Sequence, residues 1–136
     1  MNIGEAAAQS GVSAKMIRHY ETLGLVKPVR RANNYRSYTV QNVAVLRFIR
    51  HARDLAFPLA EVKQLLALWQ DEARDSADVR RIALAHVQAL EEKARSMQAV
   101  AASLRHLADH CAGDGRPDCP ILDDLAGSRR MASAED

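Results

Sequence analysis

Apolar residues recur along this chain at three- and four-residue intervals, and the breaks between runs fall at glycine, proline and capping residues. The pattern predicts a mainly α-helical protein. Asn2 with Glu5 three residues on has the form of a capping box, opening a short helix that Gly11 closes through its tolerance of left-handed backbone. Ser13 caps a second helix, 14–23, with Met16 or Ile17, Tyr20 and Leu23 at helical spacing and Gly24 at its end. Two short helices around "SGVS" have the dimensions of a helix-turn-helix, whose second helix enters the major groove of DNA.

From Lys27 to Tyr38 the pattern changes. In "KPVRRANNYRSY", Pro28 interrupts, Asn33 and Asn34 suit a tight turn, and Tyr35 to Tyr38 alternate across two faces, which predicts a small basic wing. Thr39 caps a third helix with Val45, Phe48, Ile49, Ala52, Leu55 and Ala56 on one apolar face, and Pro58 sits in the first turn of a fourth. Leu59, Val62, Leu65, Leu66 and Trp69 line that fourth helix, and Trp69 is expected to anchor the core.

Ser76 opens the longest element. No proline or glycine follows until Gly113, so a helix over 77–109 would extend roughly 50 Å at about 1.5 Å per residue. Ala83, Leu90, Met97 and Leu104 occupy one heptad position and Val87, Ala94, Ala101 and Ala108 the other, which is a coiled-coil seam. The alanines admit a closely packed partner helix, and a second copy of the chain is the simplest one; an intramolecular bundle is the alternative.

Composition sharpens this picture without redrawing it. A chain of 136 residues, 48% hydrophobic and 26% charged, is unlike a disordered protein, and its N-terminus has neither a basic leader nor an apolar signal segment, so the cytoplasm is expected. The overall charge of +2 conceals an asymmetry. Residues 1–57 carry nine Lys and Arg against three Asp and Glu, the rest ten against fourteen, so the front is +6 and the back −4. A polyanion partner is therefore expected for the front part only.

Ser13, Lys15 and Arg18 lie on the early turns of the second helix, where side chains reach bases and phosphates, and Tyr20 is counted with them. Arg18 suits a bidentate guanine contact. Arg30, Arg31 and Arg36, with the hydroxyls of Tyr35 and Tyr38, would bind backbone phosphates. A solvated basic face, with the tyrosines packing the wing, is the competing reading of the same residues.

The stretch "IGEAAAQSGVSAKMIRHYETLGLVKPVRRANNYRSY" resembles the N-terminal signature of the MerR-family transcriptional regulators, and the similarity runs on through "RHARDLAFPLAEVKQLL" and the long helix to about Ala126. The resemblance implies a winged helix-turn-helix DNA-binding domain followed by a long antiparallel coiled-coil dimerisation helix. It also implies a homodimer on a palindromic operator in promoter DNA, activating by bending and untwisting it for RNA polymerase. The corresponding expected divisions are 1–70 for the DNA-binding domain with two supporting helices, 76–109 for the dimerisation helix, 110–127 for an effector loop and short helix, and a disordered tail, 128–136.

Both cysteines, Cys111 and Cys119, lie in "HCAGDGRPDCPI". Thiolates are soft ligands, and a pair of them suits a two-coordinate monovalent ion such as Cu(I), Ag(I) or Au(I), whereas zinc prefers four ligands. His106 and His110, four apart beside Cys111, could complete a zinc site or could simply cap the helix end. The loop resembles that of the copper-efflux regulators of the family, the CueR/HmrR-like subgroup, which implies one Cu(I) per subunit held by Cys111 and Cys119. Divalent-ion members place a cysteine at the start of the dimer helix, where "DSADV" has Ser76; Ser76 and Arg80 of the partner subunit's helix would be outer neighbours of the ion. The rival readings are a divalent-metal sensor of the same fold and a thiol redox regulator. No nucleophile, base and orienter are gathered, so an enzyme is not expected.

Overall fold

The computed structural model describes residues 1–111 and 113–127, so the expected tail, 128–136, lies outside the described residues. The elements follow in the order α1 (Ile3–Ser10), α2 (Ala14–Thr22), β1 (Val29–Arg30), β2 (Arg36–Ser37), α3 (Val40–Asp54), α4 (Leu59–Gln70), α5 (Ser76–Asp109) and α6 (Pro120–Leu125). They divide into two units, Met1–His86 and Val87–Asp136, so the first three turns of α5 belong with the front of the chain.

In the first unit local chemistry sets the helix ends. Asn2 Oδ1 accepts from the Glu5 N–H at 2.8 Å while Glu5 Oε1 accepts from the Asn2 N–H at 2.9 Å, and Gly11 closes α1 at φ 77°. Ser13 Oγ accepts from the Met16 N–H at 3.2 Å and starts α2. Thr39 starts α3 with a reciprocal pair that the sequence pattern did not announce, since Asn42 stands where a Glu or Gln is usual: its Oδ1 accepts from the Thr39 N–H at 2.9 Å. The buried Asn42 amide also donates to the Lys27 carbonyl at 3.3 Å, tying the strand approach to α3. β1 and β2 pair antiparallel, Val29 with Ser37 and Arg30 with Arg36, around a turn in which Asn34 takes φ 66°.

The core of this unit is built from Ala6, Val12, Ile17 and Tyr20 of the helix-turn-helix, Val26 and Tyr38 beside the wing, and the inner faces of α3 and α4. Full burial of Ile17, Leu46, Ile49 and Val62 contributes about 1.5–3 kcal/mol each. Three sequence expectations change here. Leu55 is 64% exposed and Ala56 is left-handed at φ 67°, because α3 stops at Asp54: the Phe57 N–H returns to the Ala52 carbonyl at 3.1 Å and the Ala56 N–H to that of Arg53 at 2.9 Å. That turn carries Phe57, not Leu55, into the core. Trp69 stacks on Phe48 with ring centroids 4.7 Å apart but stays 40% exposed, at the rim of the core and not within it. Pro58 is the N-cap of α4 and stands just outside its first turn.

In the second unit α5 continues unbroken to Asp109, followed by a loop and α6. Its seam residues Val87, Leu90, Met97 and Leu104 are all exposed, as are Leu84 and Val100 beside them, so the apolar stripe is wider than two heptad positions. Among the described residues no helix is long and apolar enough to cross a membrane.

Candidate nucleic-acid interface and metal loop

The amphipathicity of α2 divides its residues. Ile17 and Tyr20 are buried, and Lys15 and Arg18 are exposed, as is Ser13 at the cap. The wing stands beside it. Arg18 of α2 and Tyr35, Arg36 and Tyr38 of the wing line one cleft of about 310 Å³ together with Asn2 and Ile3. Four residues singled out separately in the sequence are thus brought together on one surface, with Lys15 exposed nearby in sequence.

Glu21, which sequence reasoning passed over, organises that surface. Its carboxylate accepts from Arg36 Nε at 2.9 Å and lies 3.8 Å from Arg30 Nη2 and 3.4 Å from the Tyr38 hydroxyl. The hydrogen bond from Arg36 raises that guanidinium's pKa above its ordinary value, and burial, followed by the neighbouring Glu21 charge, raises that of the Tyr38 hydroxyl. Arg36 therefore joins wing to α2 as well as facing the cleft. Arg31 donates to Ser37 Oγ at 3.3 Å and Arg30 to Asn34 Oδ1 at 3.2 Å, so the wing is cross-linked by its own cations. Tyr35 is the most exposed of the three tyrosines, at 71%.

At the other end, Cys111 and Cys119 are both free thiols of intermediate burial. The Cys111 N–H closes the end of α5 on the Ala108 carbonyl at 3.1 Å. Cys119 is the N-cap of α6, and its sulfur makes no capping bond; its carbonyl accepts from the Asp123 N–H at 3.0 Å, and Pro120 follows at the first helical position. Between the cysteines Gly113 takes φ 68°, and Asp114 accepts from both the backbone N–H and the guanidinium of Arg116, which holds its carboxyl below the usual carboxylate range. The loop thus has internal structure of its own. His106 and His110 stack with ring centroids 4.2 Å apart, and His110 Nδ1 donates to the His106 carbonyl at 2.8 Å, which occupies one nitrogen in closing the helix. Among the described residues no group of three or more His, Cys, Asp and Glu side chains gathers where it could hold a metal ion. Two free thiols fit a two-coordinate soft cation, and among the described residues four ligands are not assembled. Ser76 and Arg80 are both exposed at the start of α5.

Two family profiles cover this architecture. One described as "MerR HTH family regulatory protein" matches residues 1–69, and one described as "MerR, DNA binding" matches residues 43–107. The chain belongs to the MerR family. It is accordingly a DNA-binding transcriptional regulator and not an enzyme. Among similar proteins, the HTH-type transcriptional regulator HmrR of Sinorhizobium medicae is 53% identical, covering 99% of this chain and 92% of that protein. The HTH-type transcriptional regulator CueR of Yersinia pestis is 41% identical, covering 98% and 97%. Of solved structures, a transcription regulator from Ralstonia metallidurans in complex with lead(II) shares 29% identity at a TM-score of 0.81, covering 92% of this chain and 98% of that one. The regulator MerR from Bacillus megaterium in complex with mercury(II) shares 30% identity at 0.69, covering 93% and 99%. The fold class read from the sequence, a winged helix-turn-helix followed by a long helix, is that of this MerR-family chain.

Proposed function

We propose that this MerR-family chain is a metal-responsive regulator that senses a monovalent soft cation, copper(I) or its chemical equivalents silver(I) and gold(I), through Cys111 and Cys119, one ion per subunit. The observation that carries the reading is the pair of free, half-buried thiols bracketing one loop, in a chain that offers Ser76 and not a further cysteine at the start of α5. Similarity to proteins named CueR and "Heavy metal-dependent transcription regulator" supports a metal effector. The ion would supply one positive charge and two linear coordination positions. Two thiolates around it carry a net charge of −1, against zero for a divalent ion, so the local polarity of the site discriminates by charge as well as by ligand number.

The exposed stripe on α5 supports a homodimer joined along an antiparallel coiled coil, and the cleft between α2 and the wing supports a palindromic operator. In this reading Lys15, Arg18, Arg31, Tyr35 and Arg36 contact DNA, and the Ser13 hydroxyl, which accepts the Met16 N–H, still has its proton to donate. Tyr20 and Tyr38, counted among the DNA contacts from the sequence, are buried, so their rings pack the core of the DNA-binding unit. Efflux and detoxification promoters would be activated through bending and untwisting that brings both promoter boxes within reach of RNA polymerase, at a deformation cost of several kcal/mol. Ordering of the loop and α6 would favour the activating conformation only insofar as the ion binds that conformation more tightly.

The lead(II) and mercury(II) complexes of similar structures keep a divalent-ion sensor as the second reading. A promoter-driven reporter separates the two. The double substitution Cys111→Ser and Cys119→Ser should abolish induction by copper, silver and gold while operator binding persists. Full copper induction in that variant, or stronger induction of the native protein by zinc or mercury, would overturn the proposal.

A further inference from the structure

The last residue of the first unit is a histidine sealed inside it. His86, on the third turn of α5, is only 7% exposed. Its Nε2 lies 2.8 Å from the Leu55 carbonyl oxygen; a carbonyl can only accept, so Nε2 carries the proton and donates it. The ring stacks on Phe57 with centroids 4.0 Å apart and planes inclined by 23°. Nδ1 faces Glu61 Oε1 at 3.9 Å, and that oxygen is buried without a hydrogen-bond partner among the described residues.

Each partner comes from the corner between α3 and α4. Leu55 is the C-cap of α3, and a helix end leaves carbonyls without partners inside the helix. The left-handed turn at Ala56 leads directly to Phe57, and Glu61 lies in the first turn of α4. One imidazole therefore closes α3, packs on the corner's aromatic ring and faces the start of α4. An apolar residue would fill the same volume. It would supply no direction, whereas a hydrogen bond to a helix-end carbonyl fixes the rotation of α5 about its own axis and its height against the corner. Beyond His86 the same helix runs on without a break to Asp109, two residues before Cys111.

We propose that His86 is a positioning residue: it pins the first turns of α5 to the α3–α4 corner and so fixes the direction in which that helix leaves the DNA-reading unit. In a two-fold dimer on a palindrome, such rigidity sets the half-site spacing that the protein accepts. The proposal rests on the reading of a dimeric operator-binding regulator, but not on the identity of the metal.

The probe is a duplex carrying the palindrome that the full-length native protein selects from random-sequence DNA, and the same duplex with one base pair inserted at its centre. The native protein is expected to prefer the first by about tenfold or more. H86L should still bind the first duplex within about threefold, because the reading residues are intact, but should bind both duplexes nearly equally. H86Q, whose amide can donate to the Leu55 carbonyl, should recover the preference. A residue that merely stabilised the fold would lower both affinities together and leave their ratio alone. H86L with native helical content by circular dichroism and an undiminished ratio would overturn the proposal. Should H86L not fold, H86F decides, since its ring can still stack on Phe57 but cannot donate to the Leu55 carbonyl: a ratio reduced by about threefold supports the pin, and an unchanged ratio overturns it. A native protein that selects no palindrome overturns the dimeric reading and this proposal with it. Loss of the copper response alone, with the spacing ratio intact in the native protein, would overturn only the metal assignment.

Discussion

The two units of this chain treat apolar residues in opposite ways. In Met1–His86 the periodic residues of α1 to α4 meet one another, and Ile17, Leu46, Ile49 and Val62 are fully buried by their own chain. In Val87–Asp136 the equally periodic Val87, Leu90, Met97 and Leu104 remain open. Identical sequence logic thus produces a self-sufficient core in one place and an unmet face in the other. The difference fits a division of labour in which the front unit buries its own core and the back unit, as proposed, meets a second copy along α5 and an ion at its thiols.

Leucine truncation in each unit is the sharpest way to break that comparison. Leu46→Ala should cost about 2–5 kcal/mol of unfolding free energy at any protein concentration, measured by urea denaturation. Leu90→Ala should leave the front unit's unfolding unchanged and weaken self-association, so that dissociation to monomers sets in at a higher protein concentration on dilution. A charged pair, L90D with M97D, goes further: loss of the second half-site contact should reduce operator affinity by about 100-fold or more, read by fluorescence anisotropy. Equal concentration dependence in all of these variants would erase the distinction between the units.

Within the front unit, Arg18→Ala should cost about 1–3 kcal/mol of operator binding and relax preference at one base position, whereas Lys15→Ala should weaken binding to all sequences alike and reduce its salt dependence. Ala56→Gly is the smallest expected change and has the opposite sign. Removing the side chain from a left-handed position at φ 67° should stabilise the protein by about 1 kcal/mol, visible as a rise in melting temperature. The rise should not depend on protein concentration, since the turn belongs to the self-sufficient unit.

Much of this molecule is legible in the sequence because much of it is local. Asn2, Ser13, Thr39 and Gly11 mark helix ends through bonds spanning three or four residues, and the heptads of α5 need only a count. The residues proposed to read DNA follow from two adjacent helices and a hairpin. What escapes lies between distant positions. Glu21 looks like any exposed acid until Arg36, fifteen residues on, closes upon it. His86 sits in a helix that reads as coiled coil, and only the return of Leu55 from 31 residues earlier shows that it is a core residue. Leu55 and Ala56 fit the apolar period of α3, but periodicity does not register the left-handed turn that exchanges Leu55 for Phe57. The candidate metal loop is legible as two thiols and a shape, while the selectivity proposed for it rests on Ser76, which belongs to a different element.

The measurement that bears most directly on the central claim is metal-edge X-ray absorption of the full-length protein loaded with copper(I) under a competing chelator, with zinc(II) as the contrasting ion. The account predicts one copper per subunit with two sulfur neighbours and no nitrogen, and loss of that signal in the variant with Cys111→Ser and Cys119→Ser. Three or four ligands with histidine nitrogen among them, or zinc bound in preference to copper at the same thiols, would contradict it.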